Sequence, residues 1–178
     1  MSKIIKYYRH AETKWNLEGR LQGWLDSALS ENGIKQAEKI IWKPDIVYCS
    51  DLNRAYETAK LMFPNSKIVK NSNLREIYLG HWQGCQISTL LKDEQYMCYV
   101  DTPHLFRSTT QESFQQVTKR MLDFHISIGE LAYEKIAVVS HGVALACLMT
   151  ELNHQNYENL WNHLLKGTEC VTMELQYS

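Results

Sequence analysis

Three apolar runs in this chain each stop abruptly at a polar group. Ile4-Ile5 with Tyr7-Tyr8 ends at Arg9-His10, Ile46-Val47-Tyr48-Cys49 ends at Ser50-Asp51, and Ile136-Ala137-Val138-Val139 ends at Ser140-His141-Gly142. Short, nearly unbroken apolar runs predict strands buried on both faces, the condition of a parallel sheet covered by helices. Helical patterns fill the intervals. Ser30 caps a helix carrying Ile34, Ala37, Ile40 and Ile41 on one face, with Lys43-Pro44 as its stop. Leu52, Ala55, Tyr56, Ala59, Met62 and Phe63 follow helical spacing up to Pro64-Asn65. A longer helix is expected from Glu112 through Leu131, and an apolar one from Gly142 to about Leu152. Lys67-Ile68-Val69-Lys70 reads as a short strand, residues 71–84 as a loop, residues 86–98 as one or two short helices, and residues 101–110 as a surface loop. Val171, Met173 and Leu175 alternate with Thr172, Glu174 and Gln176, the pattern of a half-exposed edge strand. The expectation is an α/β fold: a three-layer α/β/α sandwich with a mostly parallel central sheet and one antiparallel edge strand. Residues 1–178 read as a single domain.

Charge and cysteine content narrow the function. The net charge of −1 comes with no basic tract or Lys/Arg stripe, which argues against a nucleic-acid partner. No apolar run approaches a membrane span, and the N-terminus shows no signal-peptide pattern, so no membrane partner is expected. The five cysteines are odd in number and form no C-x-x-C pair, so neither a disulfide framework nor a zinc site is suggested. A cytoplasmic location is the default expectation. Oligomeric state stays open, a homodimer among the options.

The chemistry-bearing residues gather at the strand ends. Strands of a parallel sheet deliver their carboxyl ends to one crevice, so Arg9-His10, Ser50-Asp51 with Arg54, and Ser140-His141-Gly142 can meet in space. Arginine offers a planar fork of donors for phosphate or carboxylate, and histidine is a nucleophile or proton carrier near neutral pH. Arg54 also falls in the first turn of its helix, where the dipole favours anions. Two arginines, two histidines and a helix N-terminus make a site for a dianionic tetrahedral group. Each member also has a plainer reading. Arg9-His10 can be a polar strand end, Arg54 a surface residue, and His141 a core histidine with its bonds satisfied.

Six blocks carry a family resemblance. They are Arg9-His10-Ala11-Glu12-Thr13 with Trp15-Asn16; Gly19-Arg20-Leu21-Gln22-Gly23-Trp24; Leu29-Ser30-Glu31-Asn32-Gly33 with Gln36-Ala37; Ser50-Asp51-Leu52-Asn53-Arg54-Ala55 with Thr58-Ala59; Leu74-Arg75-Glu76 with Gly80 and Gly84; and Ser140-His141-Gly142. In this order and spacing they resemble the histidine phosphatase superfamily, in the branch of phosphoglycerate mutases and small phosphatases. The match is dense from Lys3 to Gly84, returns at His141, and is thin over residues 85–134. The resemblance implies that His10 attacks phosphorus and becomes a phosphohistidine, and that Arg9, Arg54 and His141 clamp the phosphoryl oxygens. Glu76 would protonate the leaving alkoxide and then activate water, a role that calls for a raised pKa beside the dianion. Asn16, Gln22, Gly23 and Gly142 would line the same pocket. No metal and no cofactor is implied, because the cationic clamp supplies the charge. One residue departs from the pattern: Ala11 stands where the family usually has glycine, which puts the backbone contribution of residue 11 in question.

Substrate class follows from what the middle of the chain lacks. Mutases of the family hold phosphorylated three-carbon acids with extra basic residues. Residues 85–130 offer only Lys92, Arg107, Lys119 and Arg120, against Asp93, Glu94, Asp101, Glu112, Asp123 and Glu130. Hydrolysis of a small phosphorylated metabolite is therefore favoured, and the compact form is most similar to α-ribazole phosphatases and broad-specificity phosphatases. A mutase-type phosphotransferase is the alternative, and a non-catalytic phosphate-binding module a further one. Trp15, Trp24, Tyr78, His81 and Trp82 are candidates for an aromatic wall, or merely pack loops. Gln111-Glu112-Ser113-Phe114 resembles a Gly-Glu-Ser block that opens a helix in the family, with Glu112 either reaching the site or, the favoured role, a helix-start acid.

Overall fold

The computed structural model describes residues 2–176. The strands are β1 (Ser2–Arg9), β2 (Ile46–Cys49), β3 (Ile68–Lys70), β4 (Lys135–Ser140) and β5 (Cys170–Gln176). The helices are α1 (Lys14–Leu17), α2 (Glu31–Glu38), α3 (Asn53–Met62), α4 (Ile87–Leu90), α5 (Glu94–Asp101), α6 (Phe114–Gly129) and α7 (Gly142–Leu152). One sheet runs β3-β2-β4-β1-β5, parallel throughout except for β5, which lies antiparallel to β1 at the edge. The mostly parallel sheet with one antiparallel edge strand is as the sequence implied, and the strand order comes from the structure alone.

Strand alternation sends the two sets of side chains to two cores. Ile5, Tyr7, Ile46, Ile136 and Val138 face α6 and α7, while Tyr8, Val47, Cys49, Ala137 and Val139 face α2 and α3. Period-2 geometry requires this division once both faces are covered. The α7 helix is apolar nearly all round, and its residues Ala144 to Thr150 are buried, as a helix wedged between sheet and neighbours must be.

Several boundaries differ from the sequence reading. α2 ends at Glu38, well before Lys43-Pro44. Lys39 and Ile40 donate to Gln36 and Ala37, bonds of three-residue span that tighten and close the last turn. Ile41 consequently swings out and is 96% exposed rather than on the buried face. α6 begins at Phe114, because Ser113 caps it in a reciprocal box with Gln116, so Glu112 lies outside the helix. The same helix ends at Gly129, short of Leu131, where the Lys3 ammonium bonds the Ile128 carbonyl at 3.1 Å. Residues 101–110 are more than a surface loop: Pro103–Leu105 forms a 3-10 turn, and Phe106 packs against Tyr99, Trp82 and Phe114. The loop at 71–84 likewise holds two such turns, Ser72–Leu74 and Gly80–Trp82.

Candidate active site

β1, β2 and β4 end side by side, and their last residues open a cleft of about 410 Å³. Arg9, His10, Asn16, Gln22, Gly23, Arg54, Glu76 and Gly142 all line it. His141 sits behind this lining, its ring centroid 5.2 Å from that of His10. All nine expected site residues are thus brought together.

His10 is set by its neighbour. Its Nδ1 lies 2.7 Å from the Ala11 carbonyl, a bond that requires the proton on Nδ1 and leaves Nε2 with a lone pair. Burial, reinforced by the charges of Arg54 and Arg9, holds the imidazole pKa well below its ordinary value. The ring is therefore neutral at neutral pH. Ala11 itself is fully buried and donates its N–H to Thr58 Oγ1 at 3.0 Å. Its φ is not positive, since His154 and Thr168 alone take that conformation among the described non-glycine residues. Alanine in place of glycine costs no strain here. A glycine is needed instead at Gly33, where a Cβ would collide with the Glu12 carbonyl.

Arg54 is 2% exposed, which removes the surface reading. Its Nη1 donates to the Leu25 carbonyl at 2.7 Å and to Asp26 Oδ1 at 2.8 Å, and its Nη2 to the Gly23 carbonyl at 2.7 Å. Asp26 also accepts from the backbone of Asn53 and Arg54. The first turn of α3 is thus occupied by a carboxylate of the chain itself, not left open for a ligand. Gly23 adopts φ +54°, which aims its carbonyl at Arg54. Arg9 donates from Nη1 to the Leu165 carbonyl at 2.6 Å, and Gly142 packs against its guanidinium where a Cβ would crowd it. Burial lowers both guanidinium pKa values, with Glu76 opposing at Arg9 and Asp26 at Arg54.

Glu76 faces α7. Its carboxylate accepts from Ile77 N at 2.9 Å, Ala144 N at 3.0 Å and Val143 N at 3.2 Å. Its own carbonyl accepts from Trp24 Nε1 and from Arg120 Nη2. Arg120 further bonds the Asn73 and Arg75 carbonyls and pairs with Glu112 through two hydrogen bonds of 3.0 Å. Glu112 in turn accepts from Tyr78 N. Although Glu112 stands just before the cap of α6, its carboxylate serves Arg120 and the loop that carries Glu76, not the first turn of the helix.

Buried polar atoms without a partner concentrate here. Among the described residues seven such side-chain atoms occur, and five belong to Arg9 (Nε), Gln22 (Oε1), Arg54 (Nε) and His141 (both ring nitrogens). Neither ring nitrogen of His141 has a protein partner, unlike those of a satisfied core histidine. Buried polar groups are ordinarily bonded, so a cluster of free ones around two guanidiniums is built to receive a polar, anionic group.

The aromatic wall is only partly as expected. Trp15 lines the cleft, but Trp82 is fully buried among Tyr96, Tyr99 and Phe106. Trp24 and Tyr78 pair with each other, and His81 bonds Thr110 outside the cleft. The rings that line it beside Trp15 are Tyr96, Tyr99 and Trp161. Sequence reasoning missed these, together with Asp26 and Arg120. Asp26 follows the quoted Gly19–Trp24 block by two residues, which was its available signal.

The chain belongs to the histidine phosphatase superfamily, branch 1, whose model matches residues 6–178. It is an enzyme of the phosphatase class. Phosphoserine phosphatase 1 of Hydrogenobacter thermophilus is 31% identical over 172 residues, covering 91% of this chain and 81% of that protein. The adenosylcobalamin/alpha-ribazole phosphatase of Escherichia coli is 29% identical, covering 86% and 81%. Among solved structures, Bacillus stearothermophilus YhfR superposes with a TM-score of 0.88 at 31% identity, covering 96% and 90%. No described helix is long and apolar enough to cross a membrane.

Proposed function

We propose that this protein hydrolyses a small organic phosphate monoester through a phosphohistidine at His10. The observation that carries the reading is the His10 ring, held by the Ala11 carbonyl with its pKa lowered by burial, with the buried Arg54 guanidinium and the partly buried Arg9 guanidinium beside it. His10 Nε2 attacks phosphorus, the P–N bond forms, and the bond from phosphorus to the alcohol oxygen breaks. Glu76 supplies the proton that the leaving oxygen takes up. Water then attacks the phosphohistidine while Glu76 accepts its proton, the P–N bond breaks, and inorganic phosphate departs. Arg9, Arg54 and His141 hold the phosphoryl oxygens throughout, donating to charge that shifts between them in the transition state. Asn16, Gln22, Gly23 and Gly142 complete the pocket wall.

The similarity to the Escherichia coli alpha-ribazole phosphatase makes α-ribazole phosphate one substrate to try. A cytoplasmic setting fits Cys49 and Cys147, both buried as thiols. The test is turnover of p-nitrophenyl phosphate between pH 5 and 8, wild type beside His10→Ala. Wild type should release phosphate, and the variant should lose at least a thousandfold, the scale of losing a covalent nucleophile. Full activity in the variant removes His10 from the chemistry. Conversion of 3-phosphoglycerate in the presence of 2,3-bisphosphoglycerate, without net phosphate release, would establish a mutase instead.

A further inference from the structure

The cleft has two unlike halves. Its floor holds the guanidiniums and histidines; its outer wall is made by Leu21, Ile87, Tyr96, Tyr99, Val100 and Leu164. Arg20 is the sole further cation among the lining residues. Its guanidinium is already engaged, bonding the Gly84 carbonyl and Glu18 and lying 5.4 Å from the Trp15 ring centroid. The arginines just behind the cleft are committed as well. Arg75 forms a two-bond pair with Asp51 at 2.7 and 2.6 Å and stacks 4.6 Å from the Trp24 ring, and Arg120 is shared between Glu112 and three carbonyls.

We infer that the alcohol released by this enzyme is uncharged and carries an aryl or branched apolar body, so that carboxylate-bearing phosphates are poor substrates. The inference rests on the hydrolytic reading above and specifies its leaving group. A carboxylate on the leaving group would lie mainly against aromatic and aliphatic side chains, the one lining cation beyond the phosphoryl clamp, Arg20, being already paired with Glu18 and the Gly84 carbonyl, and desolvating a poorly paired anion is costly. An apolar body instead exchanges water for contact with the rings of Tyr96 and Tyr99 and the exposed side chains of Ile87 and Leu164.

Three aliphatic phosphates decide it: 2-phenylethyl phosphate, O-phosphoserine and 3-phosphoglycerate. All lose an alkoxide, so differences in leaving-group acidity that favour phenolic esters do not enter. Wild type should show kcat/KM at least a hundredfold higher for 2-phenylethyl phosphate. Val100→Lys, at a partly exposed position in the wall, should narrow that ratio about tenfold by raising 3-phosphoglycerate turnover and lowering that of the apolar ester. Comparable kcat/KM for all three, or a preference for either acid, overturns the leaving-group inference while hydrolysis stands. Failure to release phosphate from any of them, or from p-nitrophenyl phosphate, overturns the hydrolytic reading and this inference together.

Discussion

Arg54 and Asp26 show how much of the candidate site is spent on aiming one side chain. Three of the five N–H donors of the Arg54 guanidinium go to the Gly23 and Leu25 carbonyls and to Asp26, leaving Nε and one Nη2 proton for a ligand. A lysine keeps the charge but, as a point donor on a flexible stem, cannot reproduce the fork. Arg54→Lys is expected to lower kcat/KM about a hundredfold, and Asp26→Asn about tenfold, since misplacement without loss of charge can cost on that order. Steady-state kinetics on p-nitrophenyl phosphate checks both, and an Asp26→Asn enzyme with unchanged kinetics would show that the carbonyls alone hold the arginine. His10, Arg54 and His141 were readable because each closes an apolar run or opens a helical pattern. Asp26 was not, because it stands in a loop with no period, and its importance comes from a contact 28 residues away. Ala11 was the reverse case. The sequence put its backbone contribution in question and implied at most a local adjustment, and the backbone, with no positive φ there, carries no strain.

At the scale of elements, the loop between β3 and α4 carries Glu76 between two 3-10 turns and outside any strand or α-helix, and Arg120 supplies the stiffness that longer regular structure would. Its side chain reaches from α6 to the carbonyls of Asn73, Arg75 and Glu76. Arg120→Met keeps much of the apolar stem and removes five hydrogen bonds. The expected result is a fall in kcat of about 10- to 100-fold with a smaller change in KM, from a looser Glu76 rather than a lost phosphate contact. An unaltered kcat would mean that the three N–H donors from Ile77, Val143 and Ala144 suffice. The strands and the longer helices were legible because burial on two faces forces a periodic pattern. The cleft wall was not: Tyr96, Tyr99 and Trp161 come from a short helix and a 3-10 turn, and which rings face the cleft depends on how these pack around Trp82. Helix ends shifted for local reasons, a tightened last turn at Lys39 and a capping serine at Ser113.

For the molecule as a whole, burying neutral histidines couples folding to pH. Burial first, and then nearby arginine charge, holds His10 and His141 well below the usual histidine range, and burial lowers His125. Above an unfolded-state value of about 6.5 both folded and unfolded chains carry these rings neutral, so they contribute no pH dependence there. As pH falls below that value the unfolded chain takes up protons that the folded one refuses, and stability drops by up to about 1.4 kcal/mol per pH unit for each ring. Urea midpoints should therefore fall from pH 7.5 to 5.5, before surface carboxylates titrate, and a flat profile over that window would contradict the buried neutral state. The sheet order carries a different kind of consequence. β1 pairs with β4 and β5 alone, Ile4 standing opposite Lys135 and Glu174, and Arg9 is bonded through backbone and side chain to Leu165, Thr168 and Glu169. During synthesis β1 leaves the ribosome well ahead of β4 and β5 and finds these partners only after more than a hundred further residues have been added, a wait on the order of ten seconds at usual elongation rates. His10 is made long before the strands that position it, so a nascent chain stalled before β4 would hold this histidine without a sheet to orient it.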